Sequence, residues 1–162
     1  MSIDYKWKNR NILTRTCDIF FKNKHIGFLN NNSLSSSAIA NLNGEQYHFE
    51  TKGIFKQHTS IIDVNAREVV GQISYNLWVS KATVSLMDQD FHWKYLNLFN
   101  TEWKFHNNKG TEVHNTPHDS AGYSLSSDFK ELLFLSGLYI DQWYKKLAYT
   151  IMAVGLATLI FM

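Results

Sequence analysis

From Leu13 to about Ser127 the chain runs as short segments rich in β-branched and aromatic residues, with apolar and polar positions alternating. Glu45-Gln46-Tyr47-His48-Phe49 and Phe91-His92-Trp93-Lys94-Tyr95 alternate with period two, as strands buried on one face do. The breaks between segments carry Asn or Asp where proline is often found, which predicts strands joined by tight reversals. Asn43-Gly44 is the strongest of these signals, because both residue types tolerate the positive φ of a type I′ hairpin turn. Asn23-Lys24, Asn65-Ala66, Asp88-Gln89-Asp90 and Asn107-Asn108-Lys109-Gly110 repeat it more weakly.

Sliding the chain 44 positions along itself superimposes Gly27 on Gly71, Ser36 on Ser80, Ala38 on Ala82 and Leu42 on Leu86. The same shift sets Tyr47 on Phe91, His48 on His92 and Phe49 on Trp93. This indicates a duplicated meander, one unit opening near Cys17 and the next near Ile62. Two units with a partial third are too few to close a propeller, whereas two meanders can close into one antiparallel barrel that leaves no strand edge exposed.

The period changes at Asp128, where Asp128-Phe-Lys-Glu131 has the spacing of a capping box and predicts a helix over about 128–146. Leu132, Leu133, Leu135, Leu138 and Ile140 put apolar groups on all its sides, so it must be enclosed. Gly137, after Ser136, narrows it to a waist that strands can approach. The expectation is a helix filling the barrel.

Every Lys, Arg, Asp and Glu lies at or before Lys146, and 147–162 reads LAYTIMAVGLATLIFM. The chain thus divides into 1–146, a barrel with its helix, and 147–162, a second hydrophobic helix and candidate membrane anchor. A crossing takes about twenty residues. Counting from Trp143 supplies that length, with Trp143 and Tyr144 in the interfacial belt, Lys145 and Lys146 at the headgroups, and Leu147, Ile151, Val154, Leu156, Leu159, Ile160 and Phe161 in hydrocarbon. The competing reading packs this segment on the barrel, on a partner or on a second copy.

Two meanders followed by an apolar helix with Gly137 and Ile140-Asp141 resemble the tubby C-terminal-like superfamily, which includes the plant LURP-one-related proteins and the phospholipid scramblases. The stretches that carry the resemblance are Ile61 to Ile73, Ala82 to Trp93, Trp103 to Val113 and Leu132 to Asp141. The resemblance implies a mainly β fold, a closed antiparallel barrel of about twelve strands around a central helix. It also implies association with membrane phospholipid, and for the scramblase branch calcium. Asp119 to Asp128 keeps two carboxylates, nine residues apart, where calcium wants six to eight oxygens.

Composition narrows the chemistry. With 162 residues, 44% apolar, and 16 cationic against 14 anionic side chains, the net charge of +2 gives no footprint for nucleic acid. The single Cys17 makes no internal disulfide, and the N-terminus lacks the apolar stretch of a secretory signal, so the expected location is the cytoplasm or the cytoplasmic face of a membrane. His114 and His118 are the closest histidine pair, but Pro117 interrupts any helix that would aim both at one metal. No nucleophile elbow or phosphate loop occurs. No enzyme activity, metal or cofactor is expected. Lys6, Lys8, Arg10 and Arg15, mixed with Tyr5 and Trp7, join Lys145 and Lys146 as candidates for lipid headgroups, each worth about 1 kcal/mol beside an anionic leaflet. The expected function is a non-enzymatic tubby-like domain binding anionic phospholipid at a cytoplasmic membrane face. The alternatives are a soluble protein-interaction module using its C-terminal helix, and lipid movement of the scramblase kind.

Overall fold

The computed structural model describes residues 3–11, 15–31, 35–53, 57–76, 78, 80–108, 110, 113–116, 120–123 and 129–160. Twelve strands precede one helix: β1 (Ile3–Asn11), β2 (Thr16–Phe21), β3 (Lys24–Asn31), β4 (Ser37–Leu42), β5 (Glu45–Lys52), β6 (His58–Asp63), β7 (Glu68–Tyr75), β8 (Lys81–Leu86), β9 (Gln89–Tyr95), β10 (Trp103–His106), β11 (Val113–Thr116), β12 (Ser120–Tyr123) and α1 (Lys130–Ile160). Successive strands pair antiparallel, and β1 pairs with β2 on one side and β12 on the other, so the strand order returns on itself. The ring is uneven. β10, β11 and β12 have four residues each, and the β1–β12 ladder joins Ile3–Lys6 to Ser120–Tyr123.

The turns follow backbone chemistry closely. Asn43 and Gly44 take φ of 53° and 91°, the left-handed pair that a β4–β5 reversal needs. Between β2 and β3 the left-handed pair is Lys22 and Asn23, one residue earlier than Asn23-Lys24. Asp63 Oδ1 accepts from the backbone N–H groups of Asn65 and Ala66 at 2.8 and 2.9 Å, and the left-handed residue there is Arg67. At β8–β9 it is Met87.

The 44-residue step holds in the strands. It carries β3 onto β7 and β4 onto β8 residue for residue. The register slips at matching places, between Ile19 and Phe20 against β3 and between Ile61 and Ile62 against β7, with Gly27 and Gly71 opposite the two isoleucines. The two meanders account for β2–β5 and β6–β9 only; β10, β11, β12 and β1 complete the order.

The expected architecture needs correction in its helices. A central helix and a separate C-terminal helix are in fact one element of 31 residues, about 46 Å long. Nor is this helix central as a whole. Leu132, Leu133, Leu135, Leu138 and Ile140 are buried among Leu29, Phe49, Phe91, Trp93, Trp103 and Phe105, and burial continues through Tyr144. Leu147 is half-buried, and from Ala148 to Ala157 the helix is exposed. The boundary drawn at Lys146 falls inside it. Helix propensity explains the continuity, since Lys145 and Lys146 are good helix formers and Asp141 pairs with Lys145 one turn on, at 2.8 Å. Asp128, the expected N-cap, lies outside the described residues; Glu131 in the first turn accepts from Asn43 Nδ2 at 2.9 Å.

A membrane-crossing tail anchor is also corrected. Among the described residues no helix is long and apolar enough to cross a membrane. The twenty residues counted from Trp143 are not all available to lipid, because Trp143 and Tyr144 are only 5% and 2% exposed inside the core. Trp143 Nε1 donates to Gln57 Oε1 at 3.3 Å, and the Tyr144 hydroxyl donates to the Lys81 carbonyl.

Candidate functional site

The point where α1 leaves the ring gathers most of the distinctive side chains. Thr51, Thr59 and Tyr75 stand there as a hydroxyl chain, with Tyr139 Oη 2.7 Å from Thr51 Oγ1 and Tyr75 Oη 2.6 Å from Thr59 Oγ1. Two residues further along the helix, buried Asp141 accepts from the Tyr95 hydroxyl at 2.9 Å and from Lys145 Nζ at 2.8 Å. Burial raises the Asp141 carboxyl above its ordinary value, and the Lys145 ammonium and Tyr95 hydroxyl act against that rise.

Three cations form a collar at the foot of the exposed helix half. Arg15 donates from Nη1 to the Gln142 carbonyl at 3.1 Å, and its guanidinium carbon lies 5.9 Å from the Tyr149 ring centre. Lys145 holds Asp141. Lys146 donates to the Ser35 carbonyl at 2.6 Å, and desolvation, then the charge of Arg15, lower its pKa. A cavity of about 140 Å³ opens beside Arg15 and Lys145, lined also by Trp7, Asn9, Leu138 and Gln142 among others. Gln142 Oε1 is buried there without a hydrogen-bond partner.

The other headgroup candidates are not drawn into this collar. Lys6, Lys8 and Arg10 are exposed along the outer face of β1, and Arg10 is engaged by Asp18 through Nε at 2.9 Å and Nη2 at 2.5 Å. Of the anchor candidates, Trp143 and Tyr144 belong to the core and Leu147 packs against it. Ile151, Val154 and Leu156 are exposed, together with Tyr149 and Met152. Leu159 and Ile160 end the helix, and Phe161 lies outside the described residues.

Sequence periodicity overlooked a further set. The β7–β8 and β9–β10 loops share the end where α1 emerges, since Tyr144 bonds to the β8 residue Lys81 and Tyr95, the last residue of β9, to Asp141. Trp78 in the first loop is 87% exposed, and Leu98 and Phe99 in the second are 98% and 87% exposed. Large apolar residues beside turn-forming Asn76, Asn97 and Asn100 were the available signal.

Features suggestive of other chemistry have local partners. His114 Nε2 stands 2.6 Å from Glu102 Oε1, and His118 lies outside the described residues. Among the described residues no group of three or more His, Cys, Asp or Glu is placed to hold a metal ion. Cys17 is fully buried in the core. No family model, curated protein or solved structure matches this chain.

Proposed function

We propose that the protein is a non-enzymatic module that docks on an anionic membrane surface, with the exposed half of α1 lodged in the near leaflet and the collar of Arg15, Lys145 and Lys146 at the headgroups. The observation that carries this reading is the character of the exposed helix half. At about 100° per residue, Tyr149, Ile151, Met152, Val154 and Leu156 point to every side of the axis, all more than half exposed. A groove on a protein buries one stripe of a helix; lipid surrounds all of it. From Leu147 to Ile160 the reach is about 21 Å against about 30 Å of hydrocarbon, so the segment enters without crossing.

The collar supports the anionic preference, and the cavity beside Arg15 and Lys145 offers N–H donors at the depth of a lipid phosphate. The tubby-like resemblance belongs to the same proposal, supported by the repeated strand unit and the apolar helix it packs against. Lipid movement gains no support from strands whose inward side chains pack against α1.

Flotation of the full chain with vesicles tests this. Vesicles of phosphatidylcholine with phosphatidylserine should carry the protein upward more than phosphatidylcholine alone, and less at high salt. The variant Ile151→Asp/Leu156→Asp should stay at the bottom. A full chain that floats with neither vesicle defeats the reading and favours docking on a protein partner.

A further inference from the structure

The exposed helix is not the only apolar feature at its end of the molecule. We propose that the β7–β8 and β9–β10 loops are a second lipid-inserting edge, in which Trp78, Leu98 and Phe99 enter the same bilayer surface as α1; this rests on the membrane-docking reading above.

Both loops are built in one way. Asn76 Oδ1 accepts from the backbone N–H groups of Ser80 and Lys81 at 3.1 and 3.0 Å, bracing the segment that carries Trp78. Asn97 Oδ1 accepts from Thr101 N at 3.0 Å, its Nδ2 donates to Thr101 Oγ1 at 2.8 Å, and Asn100 N donates to the Asn97 carbonyl at 3.3 Å. In each loop an Asn side chain reaches forward four residues, and Trp78, Leu98 and Phe99 stand exposed within the spans. Trp78 follows its Asn by two positions, and Leu98 and Phe99 follow theirs by one and two.

Such display has an energetic cost in water. A fully exposed large apolar side chain forgoes about 25 cal/mol for every Å² it leaves in solvent, and braced loops cannot fold these tips inward. The core lies within reach of the same strands, where Trp93 and Trp103 are buried to within 1%. Apolar groups held outside by dedicated polar braces therefore mark a contact surface.

The occupant is a lipid interface. The tips stand on separate convex loops beside a helix that is apolar on every side, and a bilayer accepts all of these at once without a matching groove. The charges at this end fit an anionic surface: Arg15, Lys145 and Lys146 ring the helix, and exposed Lys81 opens β8 beside the Trp78 loop. Trp favours the membrane boundary, where its ring is buried and its N–H stays near water.

The test compares full-length protein with Leu98→Ser/Phe99→Ser, Trp78→Phe and Ile151→Asp/Leu156→Asp on vesicles of phosphatidylcholine with phosphatidylserine, each variant first shown by circular dichroism to be folded. Leu98→Ser/Phe99→Ser should weaken vesicle binding about tenfold or more. With brominated acyl chains, quenching of tryptophan emission should be strong in the wild type and fall in Trp78→Phe to the share of half-buried Trp7 beside Arg15, since Trp93, Trp103 and Trp143 are buried in the core. Loop variants that bind like wild type, while the helix variant does not bind, overturn this inference and leave the docking reading standing. A wild type that binds no vesicle overturns both. A lipid-free dimer in sedimentation, converted to monomer by the loop variants, overturns the lipid assignment in favour of a second copy.

Discussion

The indole of Trp103 occupies the space that a side chain on Gly137 would need. A β-carbon there would stand 2.5 Å from Cζ3 of that ring and 3.1 Å from Cε2 of Phe105. The strand ring and the helix thus meet at a residue that weakens an isolated helix by about 1 kcal/mol relative to alanine. Gly137→Ala should therefore destabilise by roughly 1–3 kcal/mol despite its better helix propensity, in denaturant melts. Adding Trp103→Phe should recover part of the loss, and a double-mutant cycle without coupling would contradict the packing.

Gly27 and Gly71 share a position in the repeat but meet different obstacles. A β-carbon on Gly27 would press on the Asn41 carbonyl and lie 2.9 Å from the Leu42 α-carbon, all backbone; on Gly71 it would first meet the Leu86 side chain, then Ser85 O at 2.8 Å. Side chains yield more readily than a paired backbone. Gly27→Ala is expected to cost more stability than Gly71→Ala, and thermal melts giving the reverse order would refute that ranking.

Buried phenols set an alkaline limit. Burial pushes the Tyr139 hydroxyl up to about 12, against the lowering effect of its Thr51 and Thr59 hydrogen bonds; burial, then the charge of Glu131, pushes Tyr5 up to about 12 as well. A phenol harder to ionise when folded contributes stability that is whole below the ordinary value near 10 and is lost as pH climbs through about 12. Tyr139 alone carries on the order of 2–3 kcal/mol of that loss. Tyrosinate absorbance should appear together with the loss of near-ultraviolet dichroism; ionisation of these groups in an intact fold would contradict their burial.

Asp141 works the same way at lower pH. Its carboxyl is raised mainly by burial, so its stabilising share is whole below the ordinary carboxylate range and falls as pH rises toward its raised value. Asp141→Asn keeps an acceptor for the Tyr95 hydroxyl and removes the titration. The difference in urea stability between wild type and variant should shift in the variant's favour as pH rises through that interval. A pH-independent difference would show that Lys145 fully offsets the burial.

What could be read from the chain beforehand was what short-range chemistry decides. Asn43-Gly44 announces its turn because both residues accept positive φ, and the repeat is visible because Gly27 and Gly71 each sit at a crowded register slip. The charge pattern changes at Lys146 while nothing there stops a helix, so the pattern assigns Trp143 and Tyr144 to lipid although they belong to the core. Three of the six headgroup candidates, Arg15, Lys145 and Lys146, converge, but Lys6, Lys8 and Arg10 follow β1 elsewhere. Trp78, Leu98 and Phe99 escaped notice because an alternating pattern separates the two faces of a strand and says nothing about which loops gather at one end.

The unbroken helix has a mechanical meaning. With no joint between the part held by Tyr139, Trp143 and Tyr144 and the part that projects, the outer segment cannot swivel independently of the strands. Whatever grips its far end fixes the pose of the whole body, and a pull there is felt along one column of backbone hydrogen bonds directly at Gly137 and Trp103.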